Sequence, residues 1–215
     1  RVGADGLIEK GRENLLTYSN GFSNAAWDIT SNTILNSGQP DRDGGNTAWK
    51  IQRDSTSSRF VRQIDLTLSG VNNFSIFAKA GDIEYIRLYI EIDSTDASAY
   101  YSLPSNGSGV VTSSNSPAIS PKIEYVGNGW YRCSVSVNNS VITGFRIYPS
   151  PTQDNSSGGV GGEFLYIQDA QAEQGLVATP YIETGATTAQ AGILENTPRF
   201  DYSGGATCPS LLLEP

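Results

Sequence analysis

The chain has 215 residues, with 14 Lys and Arg against 22 Asp and Glu, which gives a formal net charge of -8. Because phosphate binding depends mainly on Lys and Arg, this acidic balance argues against a nucleic-acid-binding protein. The chain has no His, which excludes Ser-His-Asp and Cys-His catalysis and His-ligated metal sites, and it has no apolar run of the ~20 residues that a membrane helix needs.

The composition is typical of strands and turns rather than of long helices. It includes 23 Gly and 10 Pro with many Ser, Asn and Thr, whereas helices favour Ala, Leu, Glu and Lys. Residues 1–13 are polar and are predicted to form an N-terminal connector. The folded part is then expected to open with Asn14 to Leu16, followed by Phe22 and Trp27.

Alternating apolar and polar residues between turn-rich stretches predict the strands. In chain order, the predicted strands are Trp49–Ile51, Ile64–Leu68, Phe74–Lys79, Tyr85–Asp93, Tyr100–Leu103, Ile123–Val126, Trp130–Val137, Ile142–Tyr148 and Glu163–Ala172. The sequence Gly127-Asn128-Gly129 predicts a hairpin turn between two of them. Strands at intervals of about 8–15 residues, with no helical period between them, predict an all-β fold, a two-sheet antiparallel β-sandwich.

Toward its end the chain changes composition, and residues 183–215 are predicted to form a loop-like C-terminal linker or tail. This tail ends in Leu211 to Leu213, an apolar stretch that is expected to contact the next domain or another subunit. A single domain, residues 14–182, remains between the two linkers. The chain begins at Arg1 and has no Met, which suggests a processed chain or a piece of a longer one.

The two cysteines, Cys133 and Cys208, lack the spacing of a metal or redox site. Cys133 alternates with Tyr131 and Val135 along a predicted strand, so it is expected to point into the core. Both cysteines are free thiols, or they form a disulfide bond, and the sequence leaves these alternatives open.

Polar residues on two predicted strands form a candidate ligand-binding surface. Arg87, Tyr89 and Glu91 share one face of their strand, and Arg146 and Tyr148 share a face of another. If both strands lie in one sheet, this surface offers flat rings, planar donors and a carboxylate, which is the combination that sugars need. Arginine also binds the carboxylate of an acidic sugar in a bidentate way. The alternative is a solvated sheet face with cross-strand salt bridges.

Trp130 completes the candidate site. It alternates with Arg132 and lies opposite Tyr131 in the pattern, which favours a place at the surface, where it would stack on a ligand or pack at a rim. Trp49 is predicted to pack in the core, and Trp27 in the core or at its edge.

An enzyme is not predicted, and no residue is assigned a catalytic or metal-binding role. Glu91 and Asp93 would project from the same strand face about 7 Å apart, within the range of about 5–10 Å that a glycosidase needs. Carboxylates at this spacing are common on solvated strands, however, and nothing in the sequence marks either of them for a raised pKa.

Four segments together resemble the jelly-roll carbohydrate-binding modules. They are the opening Asn14-Leu15-Leu16 with Phe22 and Trp27, the strand Phe74 to Gly81, the hairpin Gly127 to Arg132 and the closing strand Phe164 to Glu173. The flanking residues 1–9, 196–202 and 211–215 are similar to linkers around such modules in bacteriophage tail-fibre and other virion structural proteins. One departure is that many glycan-binding relatives expose several aromatic rings, whereas this candidate face mixes Arg, Tyr and Glu.

The resemblance implies a jelly roll with extended linkers at both ends. It implies a non-catalytic glycan-binding module of a phage tail or virion protein, located on the virion or extracellularly, that recognises host cell-surface carbohydrate. Its other partners would be virion proteins, and because phage fibres are often trimers a homo-oligomer stays open. The alternative is a structural, decoration or spacer domain that acts through protein–protein contacts of its terminal segments.

No cofactor is expected. Related modules often hold a structural calcium ion, and the resemblance makes Asp169, on the closing strand, the position at which to look for one.

Overall fold

The computed structural model describes residues 11–29, 33–54, 59–93, 95–191, 199–201 and 210–212. Glu13–Ala189 form one compact unit, and the second unit takes in both chain ends. In the described ranges every regular element is a β-strand, and none of these residues belongs to a helix that could cross a membrane.

The strands are short at the two ends of the chain and long in its middle. Their bounds are β1 (Arg12–Asn14), β2 (Asp28–Ile29), β3 (Ile34–Gln39), β4 (Ala48–Gln52), β5 (Val61–Gln63), β6 (Leu68–Ala80), β7 (Tyr85–Ile92), β8 (Ala97–Ser102), β9 (Val111–Asn115), β10 (Ile119–Gly127), β11 (Trp130–Ser150), β12 (Phe164–Gln174), β13 (Ala189–Ala191), β14 (Arg199–Asp201) and β15 (Ser210–Leu212).

Two layers of antiparallel strands form a sandwich. The first layer has the order β3-β4-β12-β6-β11-β10, and the second has the order β2-β5-β11-β7-β8-β9. Strand β11 belongs to both, because residues 130–139 pair with β6 while residues 142–150 pair with β7. From β4 to β7 the chain alternates between the layers, which is the connectivity of a jelly roll. The predicted all-β, two-sheet antiparallel β-sandwich is confirmed.

The core lies between the layers and is built from the inward face of each alternating strand. Ile86 and Leu88 of β7 are fully buried, and so is Cys133 of β11, as its alternation predicted. Across the core, the rings of Phe74 and Phe145 lie 5.2 Å apart. Each large apolar side chain buried in this way stabilises the fold by about 1.5–3 kcal/mol.

Two predicted strand boundaries are wrong. The stretch Ile64–Leu68 is mostly a connection, because β5 ends at Gln63 and Asp65 has a φ of 60°, which interrupts the extended backbone. The two strands predicted over 130–137 and 142–148 are one strand, β11, with an irregularity in its pairing to β6 between Asn139 and Ile142. At this irregularity the strand passes from one layer to the other.

The tail predicted to be loop-like contains the short strands β13, β14 and β15, so that prediction is wrong. Strands β14 and β15 pair with each other in antiparallel fashion. The side chains of Leu211 to Leu213 lie outside the described residues, so their interaction role stays a prediction. Cys208 also lies outside them, and a disulfide bond with Cys133 stays open.

Candidate functional site

Strands β7 and β11 are neighbours in the second layer and bring five of the predicted residues together. Arg146 lies directly opposite Tyr89, and Tyr148 lies opposite Arg87. Because the apolar residues of β7 turn inward, these residues and Glu91 occupy the outer face of the layer. We call this set of five residues the Arg–Tyr face.

The Arg87 guanidinium lies at the centre of an aromatic cluster. Its Cζ atom is 4.6 Å from the ring centroid of Tyr89, 5.1 Å from that of Tyr100 and 5.3 Å from that of Tyr148. Nη1 donates to Ser156 Oγ at 3.3 Å and Nη2 donates to Ser98 Oγ at 3.2 Å. The Nε atom is buried without a hydrogen-bond partner, and no carboxylate of the described residues forms an ion pair with this arginine.

The other end of the face is a row of ion pairs. Glu91 pairs with Arg146 and lies 3.5 Å from Nη1 of Arg62. The other terminal nitrogen of Arg62, Nη2, lies 2.7 Å from the Asp28 carboxylate. Burial alone would lower the pKa of Arg146, but its hydrogen bonds to Glu91 and Tyr148 and the charge of Glu91 outweigh burial and raise it. Here the structure has the cross-strand salt bridges that were the alternative interpretation of this face.

The tyrosines of the face are largely covered. Tyr148 is 5% exposed, and its ring lies 4.9 Å from that of Phe60. The Tyr89 hydroxyl donates to Asp96, and burial, together with this hydrogen bond and the charge of Asp96, raises the pKa of Tyr89 to about 12. The Tyr89 hydroxyl therefore does not ionise near neutral pH and acts as a neutral donor.

Trp130 does not belong to the Arg–Tyr face, and its predicted surface position is wrong. It starts β11 in the first layer, is 1% exposed and forms a small buried cluster with Ala48 and Phe77. Tyr181, from the segment after β12, packs against this cluster. Glu173 holds that segment to the outer face of the first layer, because its carboxylate accepts hydrogen bonds from the Thr179 amide and hydroxyl. Trp130 is therefore buried although it points outward.

The acidic residues considered for chemistry have other partners. Glu91 is engaged by arginines, and Asp93 is exposed beyond the end of β7. The Asp169 carboxylate accepts from Nε and Nη2 of Arg42 at 3.3 and 3.0 Å. Across the described parts of the chain, no cluster of three or more His, Cys, Asp or Glu could hold a metal ion. The Asp169 carboxylate is thus engaged by a guanidinium, and a structural calcium ion at this position stays a prediction.

One feature was missed by sequence reasoning, an open cleft of about 570 Å³ at the β3–β4 end of the sandwich. Its lining includes Tyr18, Asn46, Trp49 and Glu183. These residues come from three separate stretches of the chain, none of which carries a binding motif. Only the aromatic character of Tyr18 and Trp49 signalled such a site, and Trp49 was predicted to be a core residue.

No protein-family model matches the chain, and no curated protein sequence matches it. Among solved structures, the CBM22-2 xylan-binding domain from Paenibacillus barcinonensis Xyn10C superposes with a TM-score of 0.45 at 12% identity, over 76% of this chain and 98% of that one. TmCBM61 in complex with β-1,4-galactotriose gives 0.37 at 15% identity, over 75% and 99%. The enzymatically active domain of bacteriophage CBA120 tailspike protein 4 gives 0.42 at 18% identity, over 76% of this chain and 21% of that one. Likenesses at this level establish no shared ligand or activity.

Proposed function

We propose that the chain is a non-catalytic glycan-binding module that recognises carbohydrate on its Arg–Tyr face. One observation carries the proposal. Arg87 is fixed among three tyrosine rings and has no carboxylate partner among the described residues, whereas Arg62 and Arg146 both have one. A positioned and uncompensated guanidinium suits an oxygen-rich ligand.

The chemistry around Arg87 favours a sugar over other ligands. The partly exposed ring of Tyr89 offers flat apolar surface to the C–H face of a pyranose, while the guanidinium donates to hydroxyl or carboxylate oxygens. Its bonds to Ser98 and Ser156, at 3.2 and 3.3 Å, are long ones that a ligand oxygen can replace. Because a guanidinium binds carboxylate in a bidentate way, acidic sugars are expected to bind more tightly here than neutral ones.

A glycan array with the full chain tests this proposal. Arg87→Lys keeps the charge but loses the planar fork, so the array signal should fall about tenfold or more, since a hydrogen bond to a charged group contributes about 1.5–3 kcal/mol. Arg12→Lys, the same change at an exposed arginine outside the face, is the matched control and should leave the signal intact. An unaltered signal in Arg87→Lys, or none with the unmodified chain, would contradict the proposal.

The biological setting proposed for the module is a phage tail or virion, where it would recognise host surface glycan. This part rests on the flanking segments, which resemble linkers of virion structural proteins. Peptides of the chain should then be detected by mass spectrometry in purified virions from its source. Their absence from virions that contain the other tail proteins would refute this setting and leave the glycan proposal standing.

A second candidate function is a structural or spacer domain. The row of ion pairs from Asp28 through Arg62 and Glu91 to Arg146 favours it, because this part of the face satisfies its own charges. In that case the terminal segments hold the domain in place, deletion of residues 197–215 breaks assembly, and the array shows no signal to lose.

A further inference from the structure

The open cleft of about 570 Å³ lies apart from the Arg–Tyr face and has the size range of small-molecule sites, about 300–1,000 Å³. Three stretches of chain line it: the turn at Tyr18 to Gly21, the β3–β4 region including Thr47 and Trp49, and Glu183 with Thr184. All three belong to the compact unit Glu13–Ala189.

Hydrogen bonds lock these stretches to one another. The Tyr18 amide donates to the Gly185 carbonyl at 2.7 Å, and the Ser19 amide donates to Thr184 Oγ1 at 3.0 Å. On the other side, Asn20 Nδ2 donates to the Thr47 carbonyl at 3.1 Å. The walls of the cleft are therefore formed before any ligand arrives, which lowers the entropic cost of binding.

The aromatic part of the lining is fixed in orientation. The indole Nε1 of Trp49 donates to the Asn20 carbonyl at 2.9 Å, and the ring meets that of Phe22 edge-on, at 6.1 Å and 87°. Tyr18 has a φ of 47°, a left-handed conformation in which non-glycine residues are strained and which its neighbours must hold in place. The Trp49 ring is thus held in place, and Tyr18 adds a second aromatic residue to the lining.

Polar side chains in the lining have unused hydrogen-bonding capacity. The Tyr18 hydroxyl, the Asn46 carboxamide and the Glu183 carboxylate make no hydrogen bond or ion pair with any described residue. The neighbouring hydroxyl of Thr47, by contrast, is already engaged by Asp41 at 2.9 Å. Hydroxyl, amide and carboxylate groups together can both donate to and accept from adjacent hydroxyls of a ligand.

The charge of the cleft selects among oxygen-rich ligands. Glu183 lines it, and no Lys or Arg of the described part of the chain does. Burial mainly raises the pKa values of Asp169 and Tyr181, and the charge of Glu183 contributes to both. The negative charge of Glu183 therefore acts on the groups around the cleft. An anionic sugar would be repelled here, whereas a neutral one can donate two hydroxyls to the carboxylate.

We infer that this cleft binds a neutral sugar unit, with Trp49 and Tyr18 as the aromatic platform and Glu183 and Asn46 as hydroxyl-binding groups. The site is separate from the Arg–Tyr face and does not require that face to bind anything.

The test is isothermal titration of the full chain with cellohexaose, xylohexaose, mannohexaose and galactotriose, with choline and oligogalacturonide as charged probes. At least one neutral oligosaccharide should bind. Glu183→Gln should weaken it about tenfold or more, because it replaces a charged acceptor with a neutral one. Glu84→Gln, the same change at an exposed residue outside the cleft, should leave the affinity unchanged.

A second readout locates the ligand by NMR. The chain has three tryptophans, and the indole N–H signal of Trp49 should move on binding, while that of Trp130, which is 1% exposed, should not. Because Glu183 and Asn46 are exposed and have no partner among the residues that the structure describes, Glu183→Gln and Asn46→Ala should fold normally, which circular dichroism checks. Failure of every neutral probe, binding only of choline, or an affinity indifferent to both substitutions would overturn the inference. Loss of binding in Arg87→Lys alone would assign the sugar to the Arg–Tyr face instead.

Discussion

Asp169→Asn should make the stability of the protein less dependent on pH. Asp169 is 5% exposed, at the irregularity in the pairing of β12 with β6, and its φ of 57° is one that asparagine tolerates. Burial raises the pKa of this carboxyl to about 6, although the nearby Arg42 guanidinium acts in the opposite direction. The substitution keeps the shape of the side chain and removes its charge.

The magnitude follows from this pKa. A carboxyl whose pKa is raised on folding stabilises the folded state while it is protonated, and this contribution is lost as the pH rises through the pKa of the folded state. Between the ordinary value of 3.8 and the folded value of about 6, at 1.36 kcal/mol for each pKa unit, the loss is about 3 kcal/mol. Relative to the unmodified protein, Asp169→Asn should therefore gain about 2–3 kcal/mol between pH 4 and pH 7, because part of the loss has already occurred at pH 4.

Urea denaturation at several pH values, followed by tryptophan fluorescence, measures this difference. The difference in the free energy of unfolding between Asp169→Asn and the unmodified protein is taken at each pH. The contributions of the other carboxyl groups cancel in this difference, because those groups titrate in both proteins. Asp82→Asn, at an exposed position, is the matched control and should follow the unmodified protein at every pH. If the curves of the unmodified protein and Asp169→Asn stay parallel from pH 4 to pH 7, the buried carboxyl is not a net destabilising charge, and the reasoning fails.

Two further predictions concern the core and the ion pairs. Phe74→Ala removes a fully buried ring that contacts Phe145 and should lower the free energy of unfolding by about 3–5 kcal/mol in urea denaturation; a loss below about 1 kcal/mol would contradict the described packing. Glu91→Gln leaves Arg146 without its carboxylate and should cost about 1–2 kcal/mol in the same assay, with the cost shrinking in high salt; a cost that salt does not change would show that charge is not its origin.

The sequence predicted the faces of the central strands because side chains alternate with a period of two. On β7 this rule alone places Ile86, Leu88 and Ile90 inward and Arg87 and Tyr89 outward, as the structure has them. The pairing of β7 with β11, which brings the two Arg–Tyr pairs together, is a long-range contact that the prediction could state only as a condition.

Alternation failed where outward-pointing residues are covered by distant segments. Trp130 turns away from the main core, but the chain after β12 returns over the same face and buries it. Tyr148 is covered in the same way by Phe60. Nothing local to either residue reveals this coverage, because the covering segments depend on where other connections cross the sandwich.

The cleft was beyond sequence reasoning for a related reason. Tyr18, Trp49 and Glu183 are far apart in the chain, and each has an ordinary local context. Only hydrogen bonds between the stretches, such as that from the Tyr18 amide to the Gly185 carbonyl, bring them to one opening. Their polar groups without a partner among the described residues are recognised only when the hydrogen bonds of the folded chain are known.

The two candidate sites have opposite local charge, and this difference makes their tests independent. Arg87 lacks a carboxylate partner among the described residues, whereas Glu183 lacks a cationic one. An acidic sugar unit pairs with Arg87 and is repelled by Glu183. A neutral sugar unit donates its hydroxyls to Glu183 but forms no bidentate ion pair with Arg87. Acidic and neutral probes therefore report on different residues of the same unit, and a substitution that abolishes one signal while preserving the other identifies which surface binds carbohydrate.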